Sequence, residues 1–217
     1  MSGKPECVDY FEQVLDGRIV ACKRIKQLAE MMLDRIEHGY KDWHFDYDYA
    51  DRPCRFIEKF CYLPSGKLGV PFVLEPFQRA MIQVMFGFVD SKGNRQFHEV
   101  LWVQGRKNSK TSTASALMLF MLMADGEGAP QCYVSATSRP QASLAYGAVL
   151  KMVRQSKTLS KRLRKGTVAE RGEDGIIYDA NMGYITPLTN QTRHLDGLDV
   201  SFALFDELAA CTNRDQY

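Results

Sequence analysis

The sequence predicts an α/β fold in three layers, with helices on both faces of a mainly parallel sheet. Short apolar segments of strand length alternate with longer apolar segments of helical length. This alternation is typical of parallel sheets, in which a helix connects each strand to the next. The predicted strands are residues 99–103, 131–136 and 202–205, and the predicted helices between them are residues 110–124 and 141–153.

The rest of the chain divides into an N-terminal extension and smaller elements. Apolar residues recur at helical spacing within residues 1–40, and Gly39 suits a helix end. Residues 41–74 are rich in aromatic, acidic, Pro and Gly residues and are predicted to be an irregular layer. Residues 75–86 are predicted to form a helix, and residues 176–178 and 184–186 two short strands around a turn.

These elements suggest one main domain at residues 56–217, preceded by a helical extension and linker at residues 1–55. The chain has 217 residues, which is enough for one sizeable α/β domain. It ends soon after a predicted acidic strand that parallel sheets normally place centrally, so we expect the domain to be incomplete at its C-terminal end.

Composition excludes some classes of function. The net charge of +2 neither requires nor excludes a nucleic-acid partner. The six cysteines include no C-x-x-C pair, so zinc is not expected and the thiols are predicted to be reduced. The N-terminus has no signal-peptide pattern, and no apolar run is long enough to cross a membrane. We therefore expect a cytoplasmic protein without a membrane partner.

The segment from Val103 to Ser112 joins a predicted strand to a predicted helix. This context suits a phosphate-binding loop, because the backbone N–H groups and the helix N-terminus attract anions. Lys110 would reach the β- and γ-phosphates, and the Thr111 hydroxyl would bind Mg²⁺. The other predicted nucleotide-binding residues of the loop are Gly105, Arg106, Lys107, Asn108, Ser109 and Ser112.

The loop departs from the usual G-x-x-x-x-G-K-[ST] pattern at two positions. Gln104 and Ser109 stand where the two glycines are expected, and Gly105 is shifted by one position. Serine disfavours a positive φ, so the sequence predicts some strain at Ser109. A basic strand-to-helix turn with a solvated face is the alternative interpretation.

The predicted strand at residues 202–205 ends in Asp206 and Glu207. Asp206 would hold the Mg²⁺ shell beside Thr111, and Glu207 would act as general base on the attacking water. Two solvated acids at a strand end are the alternative. The order of loop and acidic strand favours a nucleoside triphosphatase, and the absence of a guanine-reading motif favours ATP with Mg²⁺ as cofactors.

Residues 56–217 resemble the ATPase domain of the large terminase subunit of tailed bacteriophages. Phe77 and Gln78 resemble the adenine-side motif of that family, and Arg106 its basic residue in a variant phosphate loop. Residues 135–142 resemble its Ala-Thr…Gln-Ala segment, and residues 194–198 its Asp-Gly-Leu element. The chain ends before the coupling motif and the RNase H-like nuclease domain of the family, so no cleavage activity is expected of this segment.

The resemblance implies a P-loop NTPase of the RecA-like (ASCE) type that couples ATP hydrolysis to movement of double-stranded viral DNA into a procapsid. It also implies a homo-oligomeric ring, with a portal protein and a small terminase subunit as partners. The place of work would be the host cytoplasm, transiently at the procapsid portal. Arg193 is the candidate for an arginine acting in trans on a neighbouring site, and Arg139 is the second candidate.

Two other functions stay open at this point. A superfamily-2 helicase also uses an upstream Gln and an Asp-Glu strand end, although Leu208-Ala209 does not match the residues expected next. A nucleotide-binding remnant without turnover is the third interpretation. Residues 151–165 carry seven basic residues and no acid, which suits either a surface for DNA or a ring partner, or a solvated helical face.

Overall fold

A computed structural model describes residues 5–136, 139–168, 173–188 and 198–206. The chain forms two compact units, which we call the helical unit and the sheet unit. The helical unit contains Met1–Glu58 and Val73–Val103, and the sheet unit contains Lys59–Phe72 and Gln104–Tyr217. The division therefore differs from the expected boundary near residue 56, because residues 73–103 group with the N-terminal helices.

The helical unit confirms the predicted N-terminal helices, which are separated by a break at residues 16–22. Gly39 has a φ of 75° and caps the second helix, as the sequence predicted. Pro76 begins the helix predicted at residues 75–86, a position where its missing N–H costs nothing. The elements in chain order are α1 (Glu6–Leu15), α2 (Lys23–His38), β1 (His44–Phe45), α3 (Tyr47–Phe60), α4 (Pro76–Gly87) and β2 (Phe88–Val89).

Helix α3 shows that the prediction of an irregular layer for residues 41–74 was wrong over fourteen residues. The helix contains Pro53 in its interior, which costs about 3 kcal/mol or more. Its buried residues recur at spacings of three and four, so one face packs inward and offsets that cost. These residues are Ala50, Pro53, Cys54, Phe56 and Ile57.

The core of the helical unit lies between α1, α2 and α4. Phe11 of α1 is fully buried against Met32 of α2 and Ala80 of α4. Arg79 of α4 pairs with Glu6 at 2.8 Å and also with carboxylates of α3, so charged groups tie three helices together.

The described residues of the sheet unit form a five-stranded sheet with the strand order β4-β5-β6-β3-β7. Its elements in chain order are α5 (Lys110–Met123), β3 (Gln131–Ala136), α6 (Arg139–Gln155), α7 (Lys157–Arg162), β4 (Arg164–Val168), β5 (Glu173–Tyr178), β6 (Gly183–Pro187) and β7 (Val200–Asp206). The strands and helices predicted between residues 110 and 206 are therefore confirmed, with bounds that shift by a few residues.

The prediction of a mainly parallel sheet needs correction, because the sheet is mixed. Strand β3 pairs in parallel with β6 and β7, whereas β4–β5 and β5–β6 are antiparallel pairs. Only four residues connect β4 to β5 and four connect β5 to β6. Such short connections can join only antiparallel neighbours, since a parallel pair needs a crossover of a dozen residues or more.

The strand predicted at residues 99–103 is absent from the described part of the chain. These residues join no β-ladder, and the side chains of Leu101 and Val103 are 76% and 85% exposed. An apolar run of this length suits a buried strand, but a strand forms only where a neighbour accepts and donates its backbone hydrogen bonds. The pattern in the sequence could not reveal that no described segment pairs with this one.

Helices α5 and α6 lie on the same face of the sheet. The hydroxyl of Ser115 on α5 donates a hydrogen bond to the carbonyl oxygen of Ala145 on α6 at 3.3 Å, and both helices contact β3. Two helices on opposite faces could not touch in this way, because the sheet would separate them. The described helices α5 and α6 therefore form a single layer, so these two helices do not supply the third layer predicted from the sequence.

Candidate functional site

The candidate site lies where the loop at residues 104–109 enters α5. Helix α5 is buried along Ser115–Leu122 with no polar face, so its N-terminus is held firmly against the sheet. The helix begins at Lys110, as the sequence predicted. Its first two residues are therefore carried by a rigid core element rather than by the loop.

The first turn of α5 contacts the end of β7. The Thr111 hydroxyl donates a hydrogen bond to Oδ2 of Asp206 at 2.7 Å. The Lys110 Nζ lies 3.8 Å from Oδ1 of the same carboxylate. The loop and the acidic strand, 95 residues apart in the chain, thus meet at one point.

This point is the carboxyl edge of a parallel strand pair. Asp206 is the last residue of β7 and is in register with Ala136, the last residue of β3. Ligands of open α/β sheets bind outside the carboxyl ends of the strands, where loops rather than ladder bonds surround them. The site is therefore in the position that this topology makes available for binding.

The Asp206 carboxylate is largely shielded from solvent, and its negatively charged oxygens can bind a cation. Its side chain is 12% exposed, whereas that of Lys110 is 37% exposed. A hydroxyl oxygen and a carboxylate oxygen are the type of ligand that Mg²⁺ takes from proteins, so the chemistry of this hydrogen-bonded pair fits Mg²⁺. The described residues contain no cluster of three His, Cys, Asp or Glu side chains that could hold a metal.

Two residues of the loop adopt the left-handed backbone conformation. Lys107 has a φ of 65° and Ser109 a φ of 61°. A residue with a side chain pays about 1–2 kcal/mol to adopt this conformation. The strain predicted at Ser109 is thus present in the backbone, at the position where the usual pattern has glycine. Alternating backbone conformations of this kind form the concave amide surfaces that bind anions.

Side chains brace the loop where glycines are missing. The Gln104 amide donates to the Asn108 carbonyl oxygen at 3.2 Å, and the Asn108 amide donates to the Gly105 carbonyl oxygen at 3.2 Å. The Thr113 hydroxyl donates to the Ser109 carbonyl oxygen at 2.9 Å. Sequence reasoning missed Gln104 and Thr113 as supports. The sequence held one indication for Gln104, because an amide side chain stands where the usual pattern has its first glycine.

The cations of the loop are open to solvent. Arg106 and Lys107 are exposed and form no ion pair with the described residues. Ser112 lies half-buried in the first turn of α5. An anionic ligand could therefore reach two basic side chains without first breaking a salt bridge with a described residue.

The two predicted adenine-side residues lie in the helical unit. Phe77 is half-buried, and Gln78 is only 2% exposed. The Gln78 Oε1 accepts the backbone N–H of Glu75 at 2.9 Å, which completes a capping box at the start of α4. The structure thus gives Gln78 a local role in its own helix. Its contact with adenine stays a prediction.

Several predicted site residues lie outside the described residues. Glu207 and Arg193 are among them, as is most of the segment at residues 194–198. Arg139 begins α6, but only its backbone is described. The roles assigned to these residues stay predictions.

The fold and the site together define an α/β protein whose loop-to-helix junction meets an acidic strand end at the carboxyl edge of a sheet. The chain belongs to the family described as terminase large subunit, ATPase domain, whose profile matches residues 76–217. This match confirms the resemblance found in the sequence.

Two comparisons with individual proteins agree with the family. The chain is 29% identical over 160 residues to the large terminase subunit of Enterobacteria phage HK97, covering 73% of this chain. The crystal structure of the HK97 bacteriophage large terminase has the same fold over 72% of this chain, with a TM-score of 0.58 and 23% identity. The chain spans about 30% of the length of each of these proteins.

No helix among the described residues has the length and apolar character needed to cross a bilayer.

Proposed function

We propose that the sheet unit binds Mg²⁺-ATP at the junction of the loop and α5 and hydrolyses it. The observation that carries this proposal is the meeting of Lys110 and Thr111 with Asp206 at the carboxyl edge of β7. The family supports it, because its members are described as ATPase domains. We further propose that the fold is the RecA-like P-loop type.

The proposed roles follow from the chemistry of each side chain. Lys110 carries a mobile positive charge suited to the β- and γ-phosphates, and the exposed Arg106 and Lys107 add positive charge along the loop. Thr111 and Asp206 supply oxygen ligands for Mg²⁺, which when bound would neutralise charge on the phosphates. Glu207 follows Asp206 directly and is proposed to accept the proton of the attacking water.

Lys110 and Thr111 both contact Asp206 in the structure. Nucleotide binding would draw the Lys110 ammonium towards the phosphates and free one carboxylate oxygen. The Thr111 hydroxyl would then turn its lone pairs, rather than its proton, towards the cation. These rearrangements need only side-chain rotation on the fixed first turn of α5, so the backbone of the site is largely preorganised.

For the whole protein we propose the function of a packaging motor that moves double-stranded viral DNA into a procapsid. The portal protein, a small terminase subunit and further copies of this chain in a ring are the proposed partners. Arg193 is the first proposed candidate for an arginine that completes a neighbour's site, and Arg139 the second. The proposed location is the host cytoplasm, transiently at the procapsid portal. Residues 1–55 would serve as an extension to the ATPase domain.

Phosphate release by the full chain, measured with and without Mg²⁺, tests the ATPase proposal. Asp206→Asn should abolish the Mg²⁺-dependent part, because it removes the charge that holds the metal. Asp179→Asn is a matched control, since Asp179 is an exposed acid on the β5–β6 turn paired with Arg164.

Equal activity of the Asp206→Asn variant and the parent chain would contradict the site assignment. ATP binding without phosphate release by the parent chain would instead identify the nucleotide-binding remnant considered above.

A further inference from the structure

A group of exposed cations surrounds the junction between α6 and α7. Helix α6 ends at Gln155 and α7 begins at Lys157, so only Ser156 separates them. A neighbouring loop at residues 63–70 adds one more exposed cation. We call these residues the basic surface, and they are Lys67, Lys151, Arg154, Lys157, Lys161 and Arg162. Its six positive charges exceed the net charge of +2 of the whole chain, so the remainder is acidic on balance.

The cations of the basic surface have no ion-pair partner among the described residues, unlike the two that follow them. Arg164 makes two hydrogen bonds of 2.8 Å with Asp179, and Lys165 lies 3.2 Å from Asp174. Two described acids near this part of the sheet, Asp174 and Asp179, are thus paired with β4. No acid lies within residues 151–165 that could neutralise the helices themselves.

Helix stability accounts for some of these charges but not all. Cations near a helix C-terminus interact favourably with the helix dipole, which explains Arg154, Lys161 and Arg162 in the last turns of α6 and α7. Lys157 is the first residue of α7, where a positive charge is unfavourable. The stability of α7 therefore does not explain a cation at this position. Electrostatic repulsion between Lys157 and the neighbouring unpaired cations destabilises the helix further.

The scaffold beneath the basic surface is ordered by specific contacts. Met152 and Leu159 are buried, and the Ser156 hydroxyl accepts the backbone N–H of Leu159 at 3.4 Å. The Gln155 side chain donates to the Leu63 carbonyl oxygen at 2.9 Å and accepts the Gly69 N–H at 2.8 Å. This clamp holds the loop that carries Lys67 beside the junction. An ordered backbone beneath these cations reduces the entropy that is lost when they bind an extended anion.

We propose that the basic surface binds the phosphate backbone of double-stranded DNA. A duplex presents about one negative charge per 1.7 Å of its axis, which suits a set of separate, unpaired cations on two consecutive helices. Binding is independent of base sequence, because Lys and Arg side chains at these positions meet phosphates rather than base edges. The inference rests on the proposed DNA partner and adds the surface that contacts it.

The test is the salt dependence of binding to a fluorescent duplex of random sequence, measured by anisotropy with the full chain. The triple variant R154A/K157A/K161A removes three of the six charges. If each contributes one phosphate contact at a slope of ~0.9, the slope of log K against log salt should fall by up to about 2.7. Affinity at low salt should fall at least about tenfold. The control K23A/R24A/K26A removes three exposed charges of α2 and should leave slope and affinity unchanged.

Three outcomes would overturn the inference. The parent chain could fail to bind duplex DNA, the triple variant could retain the parent slope, or the control could lose as much as the triple variant. If the triple variant keeps the parent salt slope but its self-association changes in sedimentation, the basic surface contacts a second copy of the chain instead of DNA. Phosphate release without DNA, measured on the same proteins, reports on the ATPase proposal separately. If DNA binding changes as expected in a chain that releases no phosphate, this inference stands and the ATPase proposal fails.

Discussion

Ser109→Gly should stabilise the protein, because Ser109 has a φ of 61° and a ψ of 19°. Relief of the left-handed conformation is worth about 1–2 kcal/mol. Glycine also makes the unfolded chain more flexible, which costs about 0.4–1 kcal/mol. The Ser109 side chain makes no capping hydrogen bond to α5, so no such bond is lost. The net gain should be roughly 0–1.6 kcal/mol, or an increase in Tm of up to about 3–6 °C for a chain of this size.

Thermal unfolding followed by circular dichroism measures this change, and two further variants calibrate it. Ala129→Gly replaces another non-glycine residue with a positive φ, of 54°, outside the loop and should also raise the Tm. Ser160→Gly replaces a serine inside α7 and should lower it, because glycine is unfavourable within a helix. A lower Tm for Ser109→Gly together with a higher Tm for Ala129→Gly would refute the strain at the loop.

The same substitution should leave ATP affinity unchanged or improve it, because a relaxed loop needs no strained conformation to receive phosphates. Titration of a fluorescent ATP analogue measures the affinity. Ser109→Ala removes the hydroxyl but keeps the Cβ, so it separates the two effects. A clear loss of affinity in both variants would show that the hydroxyl binds the nucleotide.

Three further predictions concern the site and the core. Lys110→Ala should abolish ATP binding or turnover, and unchanged affinity and turnover in that variant would rule out the loop assignment. Glu207→Gln should bind ATP normally but release phosphate ~10²–10⁴-fold more slowly. Asp206→Asn should instead weaken Mg²⁺-dependent ATP binding. If the Glu207 variant hydrolyses ATP at the rate of the parent chain, Glu207 is not the general base. Burial raises the pKa of the Cys7 and Cys61 thiols to about 12, so the native chain should protect both from alkylation at pH 8 until it unfolds. These thiols lose their protons at a lower pH in the unfolded chain than in the native chain, so the free energy of unfolding should fall as the pH rises from about 9.0 towards 12. Constant stability over that pH range would contradict the burial of the two thiols.

The sequence by itself determined the elements whose local signals agree with one another. Helix α4 has Pro76 at its first position and a Glu75–Gln78 capping box, and both features act within one turn of the chain. Strand β3 was predicted with its observed bounds, because a short apolar run suits a strand buried on both faces. The order of the loop and the acidic strand was enough to pair Thr111 with Asp206 before any distance was known.

Local signals failed where the outcome depended on a neighbour. The aromatic and acidic composition around Pro53 indicated a loop, yet packing of one apolar face of α3 outweighed the proline.

The remaining features were decided only by tertiary structure, because they depend on which segments meet. Backbone hydrogen bonding makes a strand a property of two segments, so residues 99–103 could not be judged from their own apolar pattern. The parallel pairing of β3 with β7 likewise joins two segments that lie far apart in the chain. The left-handed conformation of Ser109 was expected from the loop pattern, but the bracing by Gln104 and Thr113 was not. Those contacts depend on which side chains lie within reach of the carbonyl oxygens of the loop, and only the three-dimensional structure determines that.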